Sequence, residues 1–133
     1  MIVLDEQLLG RSLESEISVW YRGPVRFVHE LRPKTVLKDD AIPVLLRAQP
    51  RPTFVTINSQ DFWRKIEASD RYCVVCLAFP DSDAGKIPAI LKRLLRHPRF
   101  ATKAERMEHV IRYTSMSIRY YTRADRIVRK ISW

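Results

Sequence analysis

Short apolar runs that end in acidic or amide residues constrain the fold of this chain most strongly. Residues 1–4 are followed by Asp5, and residues 53–57 are followed by Asn58 and then Asp61. Continuous apolar runs of this length are typical of strands buried on both faces. Because parallel strands bring their terminal residues to the same edge of a sheet, the pattern predicts that these polar side chains share a crevice.

Helix-like and strand-like segments alternate along residues 1–97. Apolar residues at helical spacing predict helices, and apolar runs rich in β-branched residues predict strands. Strands are expected at residues 1–4, 25–29, 53–57 and 72–79. Helices are expected at residues 6–20, 42–48, 62–68 and 87–97. This alternation predicts an α/β domain with a parallel sheet of about four strands flanked by helices.

Residues 98–133 are expected to form a basic extension that packs on the same domain. Thr102 begins a pattern that is typical of a capped short helix. Residues 110–121 and 127–133 are rich in β-branched and aromatic residues, which predicts two strands joined as a terminal β-hairpin. A continuous amphipathic helix over residues 103–121 is the alternative. A second copy of the chain could pair with such a hairpin, so a homodimer is a further expectation.

The positive charge of the chain is concentrated in its last third. The sequence has 24 Lys and Arg against 15 Asp and Glu, a formal net charge of +9. Residues 1–90 contain 12 basic and 12 acidic residues, whereas residues 91–133 contain 12 basic and 3 acidic residues. A field of one sign attracts polyanions, so nucleic acid is the expected partner. The simpler alternative is a solvated helix face followed by a basic tail.

Basic and aromatic residues are interleaved near the C-terminal end of the sequence. This mixture suits single-stranded RNA, through phosphate contacts and base stacking, and it also suits a protein interface. The candidate nucleic-acid-binding residues are Arg112, Arg119, Arg123, Arg126, Arg129 and Lys130.

Several other chemistries are disfavoured by composition. Cys73 and Cys76 lie in one predicted strand, where their spacing points them to opposite faces and prevents a shared metal. The chain has 3 Gly, too few for a Gly-rich phosphate loop. No apolar run has the length of a membrane span, and the first residues lack the features of a secretion signal. A cytoplasmic protein is therefore expected, with no membrane partner.

The succession of short motifs resembles the PIN-like fold. The motifs that carry the resemblance are, in chain order, Leu4-Asp5-Glu6-Gln7-Leu8, Asp39-Asp40-Ala41-Ile42, Val55-Thr56-Ile57-Asn58 and Asp61-Phe62. In order and spacing they are similar, over about residues 1–97, to small bacterial PIN-like proteins related to the toxin nucleases of toxin–antitoxin pairs.

The resemblance implies a ribonuclease that depends on Mg²⁺ or Mn²⁺. In such enzymes clustered carboxylates hold the ion, which generates a hydroxide nucleophile and stabilises charge on the phosphate. Mapped onto this chain, the resemblance makes Asp5 the first metal ligand and Asp39 or Asp40 the second. The third is Asn58 or Asp61. It also implies an antitoxin-type protein, whose acidic peptide would cover the basic surface.

The chain departs from the family pattern at the third ligand. Where the pattern has Thr-x-Asp, this chain has Thr56-Ile57-Asn58, and Asp61 stands one residue later than expected. A neutral amide oxygen holds a divalent ion more weakly than a carboxylate does. The nuclease is therefore attenuated, or its ligand set is shifted, or the fold persists as a binding module without catalysis. Glu6 and Thr56 are the candidate supporting residues.

Each candidate ligand also has a local structural explanation. Asp5, Asp39 and Asp40 are suitable helix N-caps. Asn58 and Asp61 lie in a predicted strand-to-helix turn, where Asn and Asp are common whatever the function. The sequence alone leaves both explanations open.

Overall fold

One mixed sheet of seven strands organises residues 1–31 and 41–132, which are the residues that the computed structural model describes. The strands are β1 (Ile2–Leu4), β2 (Val25–Phe27), β3 (Thr53–Thr56), β4 (Cys73–Leu77), β5 (His109–Tyr113), β6 (Ile118–Thr122) and β7 (Arg129–Ile131). The helices are α1 (Leu13–Ser18), α2 (Val28–Leu31), α3 (Ile42–Arg47), α4 (Ser59–Phe62), α5 (Ile87–Leu95) and α6 (Lys103–Arg106). The prediction of an α/β fold with helices flanking a sheet is confirmed.

The sheet order creates a switch point between β1 and β3. The strands lie in the order β2-β1-β3-β4-β5-β6-β7, and β1 pairs in parallel with both β2 and β3. The chain therefore leaves β1 toward one side and later returns to its other side. In open α/β sheets, ligands bind outside the carboxyl ends of the strands at such a point. The residues that follow β1 and β3 are consequently the first place to look for a site.

The predicted sheet of about four parallel strands is too small. β5 pairs in parallel with β4, and β6 and β7 then add antiparallel pairings at the end of the sheet. The strand predicted over residues 110–121 is two strands, because the chain reverses between Thr114 and Ser117. The Thr114 amide donates to the Ser117 carbonyl at 2.9 Å, and the Thr114 hydroxyl accepts from the Ser117 amide at 3.0 Å. The alternative helix over residues 103–121 is wrong.

The helix predicted over residues 6–20 is interrupted. A 3-10 turn at Glu6–Leu8 precedes α1, and between them Gly10 has a φ of 76° and Ser12 a φ of 58°. A left-handed backbone cannot continue a right-handed helix, so α1 is short. The helix predicted over residues 62–68 is also misplaced, since α4 begins earlier. Helices α3, α5 and α6 lie where they were expected.

The sheet separates two hydrophobic clusters. One face carries α1 and α5, and the other carries α3 and α4. Cys73 belongs to the first cluster and Cys76 to the second, which confirms that their side chains point to opposite faces. Burial raises the pKa of each thiol to about 12, so both are inert apolar groups. Among the described residues, no helix is long and apolar enough to cross a membrane.

The C-terminal strands contribute to the core, and removal of the buried Tyr121 hydroxyl tests this contribution. Tyr121 of β6 is fully buried and donates to the Ile66 carbonyl oxygen at 2.6 Å. Tyr121→Phe keeps the ring but removes the donor from a buried carbonyl. We expect the free energy of unfolding, measured by urea denaturation, to fall by about 1–2 kcal/mol.

Tyr120→Phe is the matched control for that variant. Tyr120 is also buried, at 3% exposure, but within the described chain its hydroxyl has no hydrogen-bond partner. Its substitution should change the free energy of unfolding by less than about 0.5 kcal/mol. Equal effects of the two variants would contradict the packing of β6 against the segment that follows α4.

Candidate functional site

Asp5 directly follows β1, at the switch point of the sheet. It is the one buried acidic side chain in the described part of the chain, at 7% exposure. Its Oδ1 accepts from the Glu6 amide at 2.8 Å, and its Oδ2 accepts from the Thr56 hydroxyl at 2.6 Å. Its own amide donates to the Val55 carbonyl at 3.0 Å, so pairing with β3 continues through Asp5. The residue that follows it after β1 and the neighbouring strand β3 therefore fix the position of this carboxylate.

Thr56 connects Asp5 to the turn that follows β3. Its side chain is fully buried, and its hydroxyl also accepts a hydrogen bond from the Asn58 amide at 2.9 Å. One hydroxyl thus orients the Asp5 carboxylate and the first residues of the turn. The structure therefore brings two of the residues named from the sequence, Thr56 and Asp5, into direct contact.

Asn58 and Asp61 pair with each other. The Asn58 side chain caps α4, because its Oδ1 accepts from the Asp61 amide at 3.3 Å. Its Nδ2 donates to Asp61 Oδ2 at 2.5 Å. This reciprocal pairing is the reason that α4 begins earlier than predicted. The Asp61 carboxylate does not touch Asp5, but its charge acts on the pKa of Asp5.

Glu6 points toward β2 rather than toward Asp61. Its Oε1 lies 3.4 Å from Nδ1 of His29, which belongs to the helix that follows β2. Both side chains are substantially exposed, so this contact contributes little to stability. Glu6 therefore borders the site on the β2 side.

Asp39 and Asp40 lie outside the described residues. Within residues 1–31 and 41–132, no group of three or more His, Cys, Asp or Glu is arranged to hold a metal ion. Among the described residues, Asp5 is the buried carboxylate of this edge, whereas Glu6 and Asp61 beside it are exposed.

Burial raises the pKa of Asp5 above its ordinary value of 3.8. The hydrogen bonds from Thr56 and the Glu6 amide oppose this change, whereas the charges of Glu6 and Asp61 add to it. In the described chain, no Lys, Arg or His forms an ion pair with Asp5. A buried carboxylate with acidic neighbours and no paired cation favours taking up a proton or a metal cation.

A cleft of about 1090 Å³ opens at the same edge of the sheet. Asn58 and Ser59 line it on the β3 side, and Arg112 lines it on the β5 side. The Arg112 Nε donates to the Ser59 hydroxyl at 3.2 Å, which holds the guanidinium beside the cleft. A polar cleft with a fixed guanidinium is suited to an anionic ligand.

Arg11 is a cleft residue that the sequence analysis missed. It lines the cleft, and its guanidinium pairs with Asp81, 70 positions away in the sequence. Local sequence patterns do not predict a pairing between residues so far apart in the sequence. The half-buried indole of Trp63 lines the cleft as well.

The basic residues named from the sequence divide into two sets. Arg112, Arg119 and Lys130 are directly opposite one another across β5, β6 and β7. They share the sheet face of the second hydrophobic cluster, because Val110 of β5 and Tyr121 of β6 belong to that cluster at alternate positions. These three residues are called the basic row below.

Arg123, Arg126 and Arg129 have contacts elsewhere. Arg123 lies 3.2 Å from Asp70, and Arg129 lies 2.7 Å from Asp125. Arg126 donates to the Arg64 carbonyl at 2.7 Å and lies over a tyrosine ring of β6. The tyrosines of β6 are buried, so they do not offer exposed rings for base stacking.

The burial of Asp5 predicts a pH dependence of stability. The folded state binds the proton more tightly than the unfolded chain, so the contribution of Asp5 is most favourable below pH 3.8. It declines as the pH rises through the raised folded-state pKa. Asp5→Asn lacks this titration.

Urea denaturation of the two proteins between about pH 3.5 and pH 7 measures the difference. We expect the free energy of unfolding of the parent protein, minus that of the variant, to fall as the pH rises. A difference that stays constant or grows with pH would contradict the burial of this carboxylate.

Comparisons with protein-family models, with curated proteins and with solved structures find no match to this chain. The resemblance to PIN-like proteins therefore stays a prediction from the short motifs around Asp5, Asp39 and Asn58. The functional interpretation depends on the geometry of the carboxyl edge.

Proposed function

We propose that this protein is a PIN-like ribonuclease that uses Mg²⁺ or Mn²⁺ at the carboxyl ends of β1 and β3. The observation that carries the proposal is the state of Asp5. Its carboxylate is buried at the switch point, is oriented by Thr56 and has no cationic partner in the described chain. A divalent ion would supply the missing positive charge.

The donor set suits a hard cation. Each Asp5 oxygen accepts one hydrogen bond, which leaves a second lone pair for a metal ion. In this proposal Asp61 and either Asp39 or Asp40 supply the further carboxylates. The ion, when bound, supplies a hydroxide nucleophile and neutralises charge on the phosphate.

The residues of the chain itself bind and orient the RNA. Thr56 holds Asp5 in place, and Arg112 lines the cleft at the same edge of the sheet. In the described structure Ser59 is the hydrogen-bond partner of Arg112, so its other N–H groups can donate to a phosphate. If the protein acts as the toxin of a pair, an acidic antitoxin-type peptide would compete for these same basic groups.

A second candidate function is RNA binding without catalysis. The observation that favours it is the pairing of Asn58 with Asp61, in which the amide satisfies the carboxylate that the nuclease would need as a ligand. Under this alternative the cleft binds RNA and needs no metal ion.

Cleavage of a labelled single-stranded RNA panel separates the two functions. We expect cutting with Mg²⁺ or Mn²⁺ and none with EDTA. Asp5→Asn should lower the rate by more than about 100-fold, because loss of a metal ligand costs more than loss of its supporting contacts. Glu16→Gln is the control, since Glu16 is an exposed carboxylate on α1.

Asn58→Asp tests the same proposed metal centre through an expected gain in cleavage rate rather than a loss. It replaces the amide that pairs with Asp61 by a carboxylate, which should strengthen metal binding and raise the rate by about tenfold. Asn58→Ser, which keeps a capping oxygen without charge, should give no increase. Undiminished cutting by Asp5→Asn would overturn the proposed nuclease. Metal-independent RNA binding without cutting would establish the second function.

A further inference from the structure

The basic row continues a line of paired positions that starts at Thr56, beside Asp5. Thr56 of β3 is paired with Cys76 of β4, and Cys76 is paired with Arg112 of β5. Arg112 is in turn opposite Arg119, and Arg119 is opposite Lys130. All five positions share one face of the sheet. Thr56 and Cys76 are fully buried, so the accessible part of this line begins at Arg112 in the cleft and runs to the end of the sheet.

The row is electrostatically unfavourable in the free protein. Like charges directly opposite each other on adjacent strands destabilise a sheet. Strands β5, β6 and β7 contain no Asp or Glu. Arg119 and Lys130 are exposed, and within the described residues neither forms an ion pair or a side-chain hydrogen bond. A polyanion lying along the row would relieve this repulsion.

The shape of the row suits a single strand. Neighbouring strands are about 4.8 Å apart, so the backbone positions of the three residues span about 10 Å along one line. A duplex is recognised through contacts to both of its backbones over about 16 base pairs, which one line of three cations does not provide. Trp63, which lines the adjacent cleft, supplies an aromatic ring beside the start of the row.

We propose that Arg112, Arg119 and Lys130 bind successive phosphates of one RNA strand and lead it from the cleft across β5, β6 and β7. The choice of RNA rests on the proposed function, but binding along the row requires neither the metal ion nor catalysis. Arg123, Arg126 and Arg129 are not part of this path, since each has a contact elsewhere.

Fluorescence anisotropy of a labelled single-stranded RNA in EDTA tests the row without cleavage. The variant is Arg119→Gln combined with Lys130→Gln, which leaves the cleft residue Arg112 in place. Each phosphate contact to a single strand contributes about −0.7 to the slope of log affinity against log salt. The slope of the double variant should therefore be shallower than that of the parent by about 1.4. Between about 50 and 200 mM salt, the factor by which affinity falls should be about sevenfold smaller for the variant than for the parent.

The matched control removes equal charge from the other face of the sheet. The control is Lys92→Gln combined with Arg96→Gln. Lys92 lies on α5 and Arg96 is its C-cap, and this helix packs on the first hydrophobic cluster. The control should keep the parent slope. Because the row repels itself, the row variant should unfold at the same temperature as the parent or a higher one.

Three results would overturn the row: an unchanged slope in its variant, an equal loss in the control, or equal binding of duplex RNA. Full competition by a poly-glutamate peptide would assign the row to an acidic protein instead. Failure of the proposed nuclease gives a different result, namely no metal-dependent cutting while the slope still responds to the row variant.

Discussion

The hydrogen bond from Thr56 to Asp5 is the interaction on which the carboxyl edge depends. It joins the residue after β1 to the last residue of β3. This is the switch point of the sheet, where the chain has added β2 on one side of β1 and adds β3 on the other. The same hydroxyl accepts from the amide of Asn58 and so helps to begin the turn into α4. A buried carboxylate needs such partners, because an unpaired one would be too costly to desolvate.

The positions of β1, β3 and β4 could be read from the sequence because continuous apolar runs specify burial on both faces. The break in the first helix could not, because Leu8, Leu13 and Ile17 are all fully buried in one cluster although no single helix contains them. Their helical spacing reflects the core that they share. The turn at residues 114–117 was missed as well, because its signal is a short Thr and Ser cluster, which marks a turn more weakly than Gly, Pro or Asn does.

The candidate site shows the same division between local and long-range information. The position of Asp5 at the end of β1 was predictable, because its place after an apolar run is a property of adjacent residues. The basic row was not, because Arg112 and Arg119 were expected on one strand, and their pairing depends on the register of β5 with β6. For Asn58 and Asp61 the sequence predicted only a turn, and not the hydrogen bond between their side chains. Long-range register, rather than composition, thus selects three cations from a basic C-terminal third.

The proposed metal centre lies at Asp5, where β1 and β3 end. Titration of the isotope-labelled protein with Mn²⁺, followed by paramagnetic broadening of backbone amide signals in NMR spectra, is the most direct test of this position. We expect the signals of Glu6, Asn58 and Asp61 to broaden first, and we expect Asp5→Asn to abolish this effect. Broadening that is strongest elsewhere, or that persists unchanged in the variant, would contradict this position of the metal centre.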